Sequence, residues 1–314
     1  MKKINVVLPV YNEVEVIGKF NAELQRVIGT LPQYRFEVIY VLDKCYDGTL
    51  DELRKIAREY DNVKVIALSR RFGHQMSLVA GMHQCDGDAV IMMDCDLEHP
   101  PRVIGQLLEK FEEGYDVVQT RRQYNENIGF FKRASSRLFY KVLSKLSSVP
   151  ISPDSADFRL ISKKVLDTFK YQITEQNQFL RGLIPWVGFN QTYVDFVSDR
   201  REGGKSKYNL KRLLRFGITG IISFSKTPLK LSVYFGFTMS FLSILYGIYT
   251  VIYYLISHNT PAGWTSVIAS MTFLGGIQLI FLGIIGEYIG GIFDEVKKRP
   301  LYIIEETIEG NKDE

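Results

Sequence analysis

A run of 56 consecutive residues, Leu231 to Gly286, contains no Asp, Glu, Lys or Arg. In a chain that is 24% charged overall, so long an uncharged run indicates a membrane-embedded segment rather than the core of a soluble domain. A turn-rich stretch at 257–263 divides the run into Leu231–Ile256 and Trp264–Gly286, which are 26 and 23 residues long. Each part exceeds the roughly 20 residues that a helix needs to cross a bilayer. We therefore predict a two-helix transmembrane hairpin.

Basic residues lie on both outer flanks of this hairpin. Seven Lys or Arg residues between positions 205 and 230 precede it, three follow it at 297–299, and the connecting stretch has none. The positive-inside rule therefore places both flanks in the cytoplasm. We predict an interfacial amphipathic helix at 209–230, the hairpin at 231–290, and a cytoplasmic C-terminal tail at 291–314. A second amphipathic stretch, 130–146, fits either another interfacial helix or an ordinary helix of the globular part.

The first 120 residues alternate between strand-like and helix-like segments. The strand-like runs are Ile4–Val10, Phe36–Leu42, Val63–Leu68, Asp88–Met93 and Tyr115–Gln119. The helix-like stretches between them are Glu13–Leu31, Leu50–Glu59, His74–Gln84 and Arg102–Glu113. This alternation predicts an α/β domain over residues 1–208 with a mostly parallel, Rossmann-like sheet. Ligands of such sheets bind beyond the carboxyl ends of the strands, where the polar clusters at 11–13, 43–49 and 94–96 fall.

Several classes of protein are disfavoured. The three cysteines lack metal-site spacing and are too few for a disulfide framework, so they fit a reducing compartment. A net charge of +4 is too small to suggest a nucleic-acid partner. Neither a Walker-type phosphate loop nor a Gly-x-Gly-x-x-Gly dinucleotide motif is present in the sequence.

Asp94 and Asp96 form the cluster with the clearest chemistry. In an extended segment residues i and i+2 point to the same side, so both carboxylates can converge, and Glu98 continues the spacing. Hard oxygen ligands suit Mg²⁺ or Mn²⁺, which in turn bind a diphosphate. The alternative is a solvated turn before His99-Pro100-Pro101.

A cationic, glycine-containing loop at 200–208 supplies charge of the opposite sign. Its glycines allow close folding over a ligand, and its Arg and Lys side chains neutralise phosphate. The alternative is a polybasic stretch that touches only anionic lipid.

These motifs together resemble family 2 glycosyltransferases. They are Pro9-Val10-Tyr11-Asn12-Glu13, the Asp43…Asp47-Gly48-Thr49 pair, the segment Asp94 to Pro101, and Arg201-x-x-Gly-x-Ser-Lys207. In order and spacing, over nearly the whole chain, they are most similar to the polyprenyl-phosphate (dolichyl-phosphate) sugar synthases, particularly bacterial two-span undecaprenyl-phosphate glucosyltransferases. The resemblance implies a GT-A fold in a protein of the bacterial inner membrane. It also implies inverting transfer of one sugar, expected to be glucose from UDP-glucose, to a lipid phosphate.

Other interpretations stay open. The same reaction with GDP-mannose or with a UDP-aminoarabinose derivative would use the same fold. A membrane-anchored scaffold that binds nucleotide sugars without turnover belongs to another class, and a homo-oligomer is compatible with the sequence. Two spans do not readily form a polysaccharide channel, so a single transfer is favoured.

The resemblance also implies residue roles. The expected nucleotide-sugar site comprises Pro9, Tyr11, Glu13, Asp43, Asp94, Cys95, Arg121 and Lys207. The expected metal ligands for Mg²⁺ or Mn²⁺ are Asp94, Asp96 and Glu98. Asp96 is also an expected catalytic residue, as is Arg201, which is expected to bind phosphate. The loop at 42–49 departs from the family pattern Asp-Asp-Gly-Ser-x-Asp-Gly-Thr, which bears on nucleotide preference.

The acceptor side follows from the chemistry of a phosphate monoester. Its second pKa is near ~6, so its oxygen is largely ionised at neutral pH and needs no strong general base. Lys132, Arg133 and Ser136 are our candidates for binding it, and Asp157 is our candidate for orienting or deprotonating it. The alternative for Asp157 is an ion pair with Arg159.

Overall fold

The computed structural model describes residues 1–123, 155–197, 225–257 and 263–310. Its strands are β1 (Lys2–Val10), β2 (Tyr34–Leu42), β3 (Val63–Leu68), β4 (Ala89–Met92), β5 (Val117–Gln123), β6 (Ser155–Ser162), β7 (Gln191–Val197) and β8 (Ile304–Glu309). Its α-helices are α1 (Ile17–Gly29), α2 (Thr49–Glu59), α3 (His74–Gln84), α4 (Ile104–Glu112), α5 (Lys163–Tyr171), α6 (Leu180–Trp186), α7 (Thr227–Ser257) and α8 (Trp264–Lys297).

The strands form one mixed sheet in the order β7-β5-β6-β4-β1-β2-β3-β8. Strands β3, β2, β1 and β4 are mutually parallel, and β6 runs antiparallel to both β4 and β5. The predicted α/β class and mostly parallel sheet are therefore confirmed. Val63–Leu68 and His74–Gln84 have the predicted bounds, whereas α1 begins at Ile17 rather than at Glu13. Residues 11–16 instead form a turn in which Asn12 has a φ of 56°.

The core lies on both faces of the central strands. Neighbouring residues of β1, such as Val6 and Val7, belong to different buried clusters because helices cover both sides of the sheet. On one face Gly81 of α3 lies so close to β1 that a Cβ atom there would be 2.3 Å from Val7 Cγ1. This packing makes the sheet rigid and fixes the positions of the loops at its carboxyl edge.

The two C-terminal helices are long and apolar enough to cross a membrane. Their apolar side chains are exposed, which distinguishes them from core helices of a soluble protein. The helices contact each other through Phe235 and Phe281, whose ring centroids are 5.6 Å apart. Tyr288 donates a hydrogen bond of 2.6 Å to the carbonyl of Ser225, just before α7.

The end of the chain differs from the predicted tail at 291–314. Helix α8 continues past Gly286 to Lys297, and near its end Glu295 Oε1 accepts a 2.8 Å hydrogen bond from the amide of Gln176. The chain then returns to the globular part as β8, which pairs antiparallel with β3. Ion pairs join it to the loop after β2, to α2 and to β3 at Lys44–Glu305, Arg54–Glu306 and Lys64–Glu309, with distances of 2.5, 2.8 and 3.4 Å. The segment after the hairpin is thus part of the sheet.

Deleting residues 300–314 should destabilise the globular part strongly. The deletion exposes the edge of β3 and removes the packing of Leu301, Tyr302 and Ile304 on the core. Full burial of an apolar side chain contributes about 1.5–3 kcal/mol, and these three side chains are partly buried, so we expect a loss of about 3 kcal/mol in all. The Tm should therefore fall by about 6–12 °C in thermal unfolding of the detergent-solubilised protein. Deleting only 311–314 is the matched control, and equal Tm values for the two deletions would contradict a structural role for β8.

Candidate active site

A cavity of about 460 Å³ opens beyond the carboxyl ends of β1, β2 and β3. Its walls include aromatic, acidic and basic side chains: Tyr11, Lys44, Tyr46, Asp47, Arg70 and Arg71. The guanidinium of Arg71 lies 4.2 Å from the centre of the Tyr11 ring, in cation–π contact. The cavity can therefore hold a ligand that combines an aromatic ring with negative charge.

Asp43 shapes this cavity from beneath. It is buried, and its two carboxylate oxygens accept hydrogen bonds from the amides of Phe72 and Gly73 at 2.7 and 2.9 Å. Gly73 has a φ of 94°, a conformation that favours glycine. Asp43 thus holds the loop that carries Arg70 and Arg71, which differs from the direct nucleoside contact we expected of its side chain.

Hydrogen bonds join the loop after β1 to the loop after β2. The amide of Glu13 donates to Thr49 Oγ1 at 3.2 Å, and Thr49 Oγ1 donates to Asp47 Oδ1 at 2.7 Å.

Of the other residues expected at the nucleotide, Tyr11 lines the cavity, whereas Pro9 and Cys95 are buried. The Cys95 thiol donates to the carbonyl of Pro9 at 3.6 Å. Because both side chains are buried, a nucleotide would reach these two residues through their backbones, and their expected roles remain predictions.

Asp94, directly beyond β4, lies between two histidines. Its Oδ1 is 2.7 Å from His74 Nε2, at the start of α3, and its amide donates to His99 Nδ1 at 2.9 Å. His99 must therefore accept at Nδ1, which is the neutral tautomer. Burial lowers the pKa of His99 in agreement with this, and its ring stacks on Phe158 with centroids 5.4 Å apart. His99 therefore orients the Asp94 backbone as a neutral group.

His74 and Asp94 form an ion pair. Burial disfavours the charged form of each group, but their mutual attraction outweighs it. The pKa of Asp94 is lowered to about 2 and that of His74 is raised to about 9. At neutral pH both groups are charged.

Asp96 and Glu98 follow in a tight turn in which Leu97 has a φ of 63° and the Glu98 amide donates to Asp96 Oδ1 at 3.1 Å. The pKa of Asp96 is raised by burial and then by the nearby charges of Asp94 and Glu98. A cation between Asp94 and Asp96 would relieve this crowding of like charges. The donor set therefore suits a divalent ion.

Glu98 has a different partner from the one we expected. Its Oε2 accepts from Arg122 Nη2 at 2.8 Å, an ion pair that competes with metal binding. Across the described ranges of the chain, no three His, Cys, Asp or Glu side chains form a group able to hold a metal ion. The three-carboxylate metal site is thus not assembled here. Asp96 and Asp94, whose Oδ1 is already paired with His74, remain as two candidate oxygen ligands, a number that suits a Mg²⁺ site completed by substrate phosphate and water.

Arg121, the neighbour of Arg122, does not reach the carboxylates. Its guanidinium carbon lies 3.8 Å from the centre of the Tyr193 ring. Successive residues of a strand point to opposite faces, so the side chains of Arg121 and Arg122 cannot both point toward the carboxylates. Arg121 thus packs on an aromatic ring, and its expected phosphate contact remains a prediction.

Asp157 on β6 is buried between two guanidinium groups. Its Oδ1 accepts from Arg159 Nη2 at 2.7 Å and from Arg181 Nε at 3.0 Å, and its Oδ2 accepts from Arg181 Nη2 at 2.8 Å. Burial alone would raise the pKa of Asp157, but Arg181 and Arg159 together hold it far below its usual range. So weak a base is poorly suited to deprotonate an acceptor. The alternative, an ion pair with Arg159, is present, and Arg181 extends it.

Five of the predicted site residues lie outside the described residues: Lys132, Arg133, Ser136, Arg201 and Lys207. The same holds for the amphipathic stretch 130–146 and for the predicted interfacial helix up to residue 224. Around the carboxylates the structure adds four residues that were absent from our expectations, His74, His99, Arg122 and Arg181, and in the cavity it adds Lys44, Arg70 and Arg71. The only advance signal was their closeness in sequence to predicted motifs, as with His99 after Glu98.

Comparison with known families agrees with this architecture. Residues 5–169 match the family described as glycosyl transferase family 2, and residues 227–292 match the GtrB C-terminal hairpin. A glycosyltransferase of Bacillus subtilis, YkcC, is 41% identical over 303 residues, covering 96% of this chain and 93% of that protein. The SfII prophage-derived bactoprenol glucosyl transferase of Shigella flexneri is 38% identical over 309 residues, covering 98% and 99%.

Solved structures support the fold alone. The mannosyltransferase PcManGT from Pyrobaculum calidifontis, solved with GDP-Man and Mn²⁺, superposes with a TM-score of 0.51 at 16% identity. The match covers 95% of this chain and 87% of that one. From the family match, the relatives and the sheet topology, we conclude that the chain belongs to glycosyltransferase family 2, as a glycosyltransferase with a GT-A fold followed by two long apolar helices.

Proposed function

We propose that this protein transfers one glucose from UDP-glucose, with inversion, to the phosphate of a polyprenyl lipid such as undecaprenyl phosphate. The observation that carries the proposal is the return of β8 to the catalytic sheet after an apolar hairpin. This connection ties a cleft for a soluble donor to a membrane anchor, as a lipid acceptor requires. The name of the Shigella flexneri relative, a bactoprenol glucosyl transferase, supports the same acceptor class and sugar.

The donor would occupy the cavity at β1, β2 and β3. Tyr11 offers a ring for stacking on a base, and Arg70, Arg71 and Lys44 offer positive charge for phosphates. The diphosphate would then lie at Asp94 and Asp96, which would hold Mg²⁺ or Mn²⁺. The metal's contribution is to neutralise charge on the departing diphosphate. The Mn²⁺ bound by the mannosyltransferase of the same fold is compatible with this role.

The acceptor would enter from the membrane side. We retain Lys132, Arg133 and Ser136 as proposed ligands of the lipid phosphate, and Arg201 and Lys207 as proposed phosphate ligands near the reaction centre. Because the acceptor is already an anion, the enzyme's main tasks are to bring two phosphates together and to stabilise the leaving group.

A donor screen tests the proposed specificity. Purified protein in detergent with undecaprenyl phosphate and Mg²⁺ would receive labelled UDP-glucose, GDP-mannose or a UDP-aminoarabinose derivative separately. We expect label in the lipid phase from UDP-glucose only. Lipid labelling from GDP-mannose or from the UDP-aminoarabinose derivative would show that the transferred sugar is not glucose. Donor binding without lipid labelling would support a scaffold and overturn the transfer.

The proposed topology has the catalytic part in the cytoplasm of the bacterial inner membrane. Since β7 and β8 share one sheet, the hairpin must begin and end on the same side of the bilayer, and the basic flanks favour the cytoplasmic side. In a background with Cys45→Ser, an impermeant maleimide added to intact cells should label Asn259→Cys. It should label Lys297→Cys only after permeabilisation. The reverse pattern would contradict this orientation.

A further inference from the structure

Arg181 forms a charged cluster with Asp157 and Arg159 of β6. Asp157 accepts from Arg181 through both of its oxygens, in a two-point contact of 3.0 and 2.8 Å, while Arg159 contacts the same carboxylate at 2.7 Å. The Arg159 and Asp157 side chains are only 2% and 8% exposed, whereas that of Arg181 is 28% exposed. Arg181 is therefore the member of this trio that a ligand can reach.

Helix α6, which carries Arg181, is also held against the start of α3. The amide of Leu180 donates to Gln75 Oε1 at 3.2 Å, and the preceding residue of α3, His74, contacts Asp94. Hydrogen bonds to Asp157 and to the start of α3 thus hold Arg181 and its helix in place. A guanidinium fixed in this way loses little side-chain entropy when it binds an anion.

Along the strand order of the sheet, Asp94 lies between the cavity and this cluster. The cavity lies at β1, β2 and β3, Asp94 follows β4, and Asp157 is on β6, the next strand in the sheet. In the antiparallel pairing of β4 and β6, Met92 is opposite Arg159. Two residues further along, the same register puts Asp94 opposite Asp157.

This order matters for the geometry of an inverting transfer. The incoming oxygen and the departing diphosphate must lie on opposite sides of the anomeric carbon. A donor with its base in the cavity and its diphosphate at Asp94 and Asp96 directs its sugar toward β6. The nucleophile must then approach over the cluster that contains Arg181.

We propose that Arg181 is a catalytic residue that binds the reacting phosphate of the acceptor, and that Asp157 is a positioning residue that fixes Arg181. This inference rests on the proposed function. An oxygen of the acceptor phosphate dianion forms the bond to the anomeric carbon as the bond from that carbon to the diphosphate oxygen breaks. The electron pair of the broken bond leaves with the nucleoside diphosphate, and no proton is transferred. Arg181 holds the attacking dianion against the repulsion of the diphosphate.

The test compares Arg181→Gln with wild type, with Arg58→Gln on the exposed side of α2 as the matched control. A charge-assisted hydrogen bond contributes about 1.5–3 kcal/mol, so kcat/KM for polyprenyl phosphate should fall about ten- to a hundred-fold. The Kd of the donor, measured without lipid, and the slow hydrolysis of the donor by water should stay within two-fold of wild type. Arg58→Gln should match wild type in every assay.

Other outcomes would overturn the assignment. An unchanged kcat/KM for the lipid in Arg181→Gln, or a weakened donor Kd, would exclude Arg181 from the acceptor site. If Arg181→Gln does not fold, Arg181→Lys keeps the charge but loses the two-point contact, and its acceptor KM should still rise several-fold. For Asp157→Asn we expect a higher acceptor KM and no change in the acidic limb of the pH–rate profile, whereas loss of that limb would identify a base. Failure of wild type to use any polyprenyl phosphate would instead reject the proposed function.

Discussion

Replacing Asp96 with alanine should lower kcat by about a hundred- to a thousand-fold, since removing a preorganised electrostatic contact to a developing charge costs about 2.7–4 kcal/mol. Burial raises the pKa of Asp96, and the nearby charges of Asp94 and Glu98 raise it further. A divalent cation between the carboxylates would relieve this repulsion, and oxygen ligands suit Mg²⁺ or Mn²⁺. EDTA should abolish wild-type turnover, and Mg²⁺ or Mn²⁺ should restore it for wild type only.

A binding measurement separates metal loss from misfolding. Titration of Mn²⁺ by electron paramagnetic resonance should show one site in wild type and weak or no binding in Asp96→Ala. Glu98→Gln is an informative companion, because the Arg122 ion pair at 2.8 Å predicts a smaller loss of Mn²⁺ affinity than for Asp96→Ala. Full activity of Asp96→Ala in the presence of chelator would reject the metal site.

Substituting Asp157 with alanine should be the most destabilising single change in the site. The substitution leaves Arg159, whose side chain is only 2% exposed, without its carboxylate partner. Breaking a buried ion pair by removing one member costs about 3–5 kcal/mol. For a domain of this size we expect the Tm to fall by about 6–20 °C. Asp51→Ala, which removes an exposed ion pair with Arg54 on α2, is the control and should change Tm little.

The same ion pair predicts an acid dependence of stability. The folded-state pKa of Asp157 is depressed, so its contribution is fully present above the unfolded-state pKa of about 3.9 and decreases as the pH falls below it. Wild type should therefore lose more stability than Asp157→Ala between pH 5 and pH 3. Parallel stability curves for the two proteins over that interval would show that the carboxylate is not stabilised by its arginines.

Much of the fold could be predicted because its central strands are buried on both faces. Such strands are continuous apolar runs, and Val63–Leu68 was located without error. The edge strand β8 was not predicted, because Ile304–Glu309 contains three glutamates and resembles a solvated tail. The uncharged run ends before Glu287 and so underestimates the second apolar helix, which continues to Lys297.

For the site, local spacing predicted groups but not their partners. Asp94 and Asp96 do lie close enough for the charge of Asp94 to raise the pKa of Asp96, but they lie at a tight turn that includes Leu97 rather than in an extended segment. Spacing carries no information on which guanidinium meets which carboxylate across strands. The pairing of Arg122 with Glu98, and of Arg181 with Asp157, depends on sheet register and on the packing of α6.

The central claim is the transfer of one sugar to a lipid phosphate, and mass spectrometry of the lipid product tests it most directly. Purified protein would be incubated with UDP-glucose, undecaprenyl phosphate and Mg²⁺, and the lipid extract compared with that of Asp96→Ala. We predict a single new species, heavier than undecaprenyl phosphate by one hexose residue, formed in equal amount to the UDP released. UDP release without a modified lipid, or a lipid carrying several hexoses, would contradict the account.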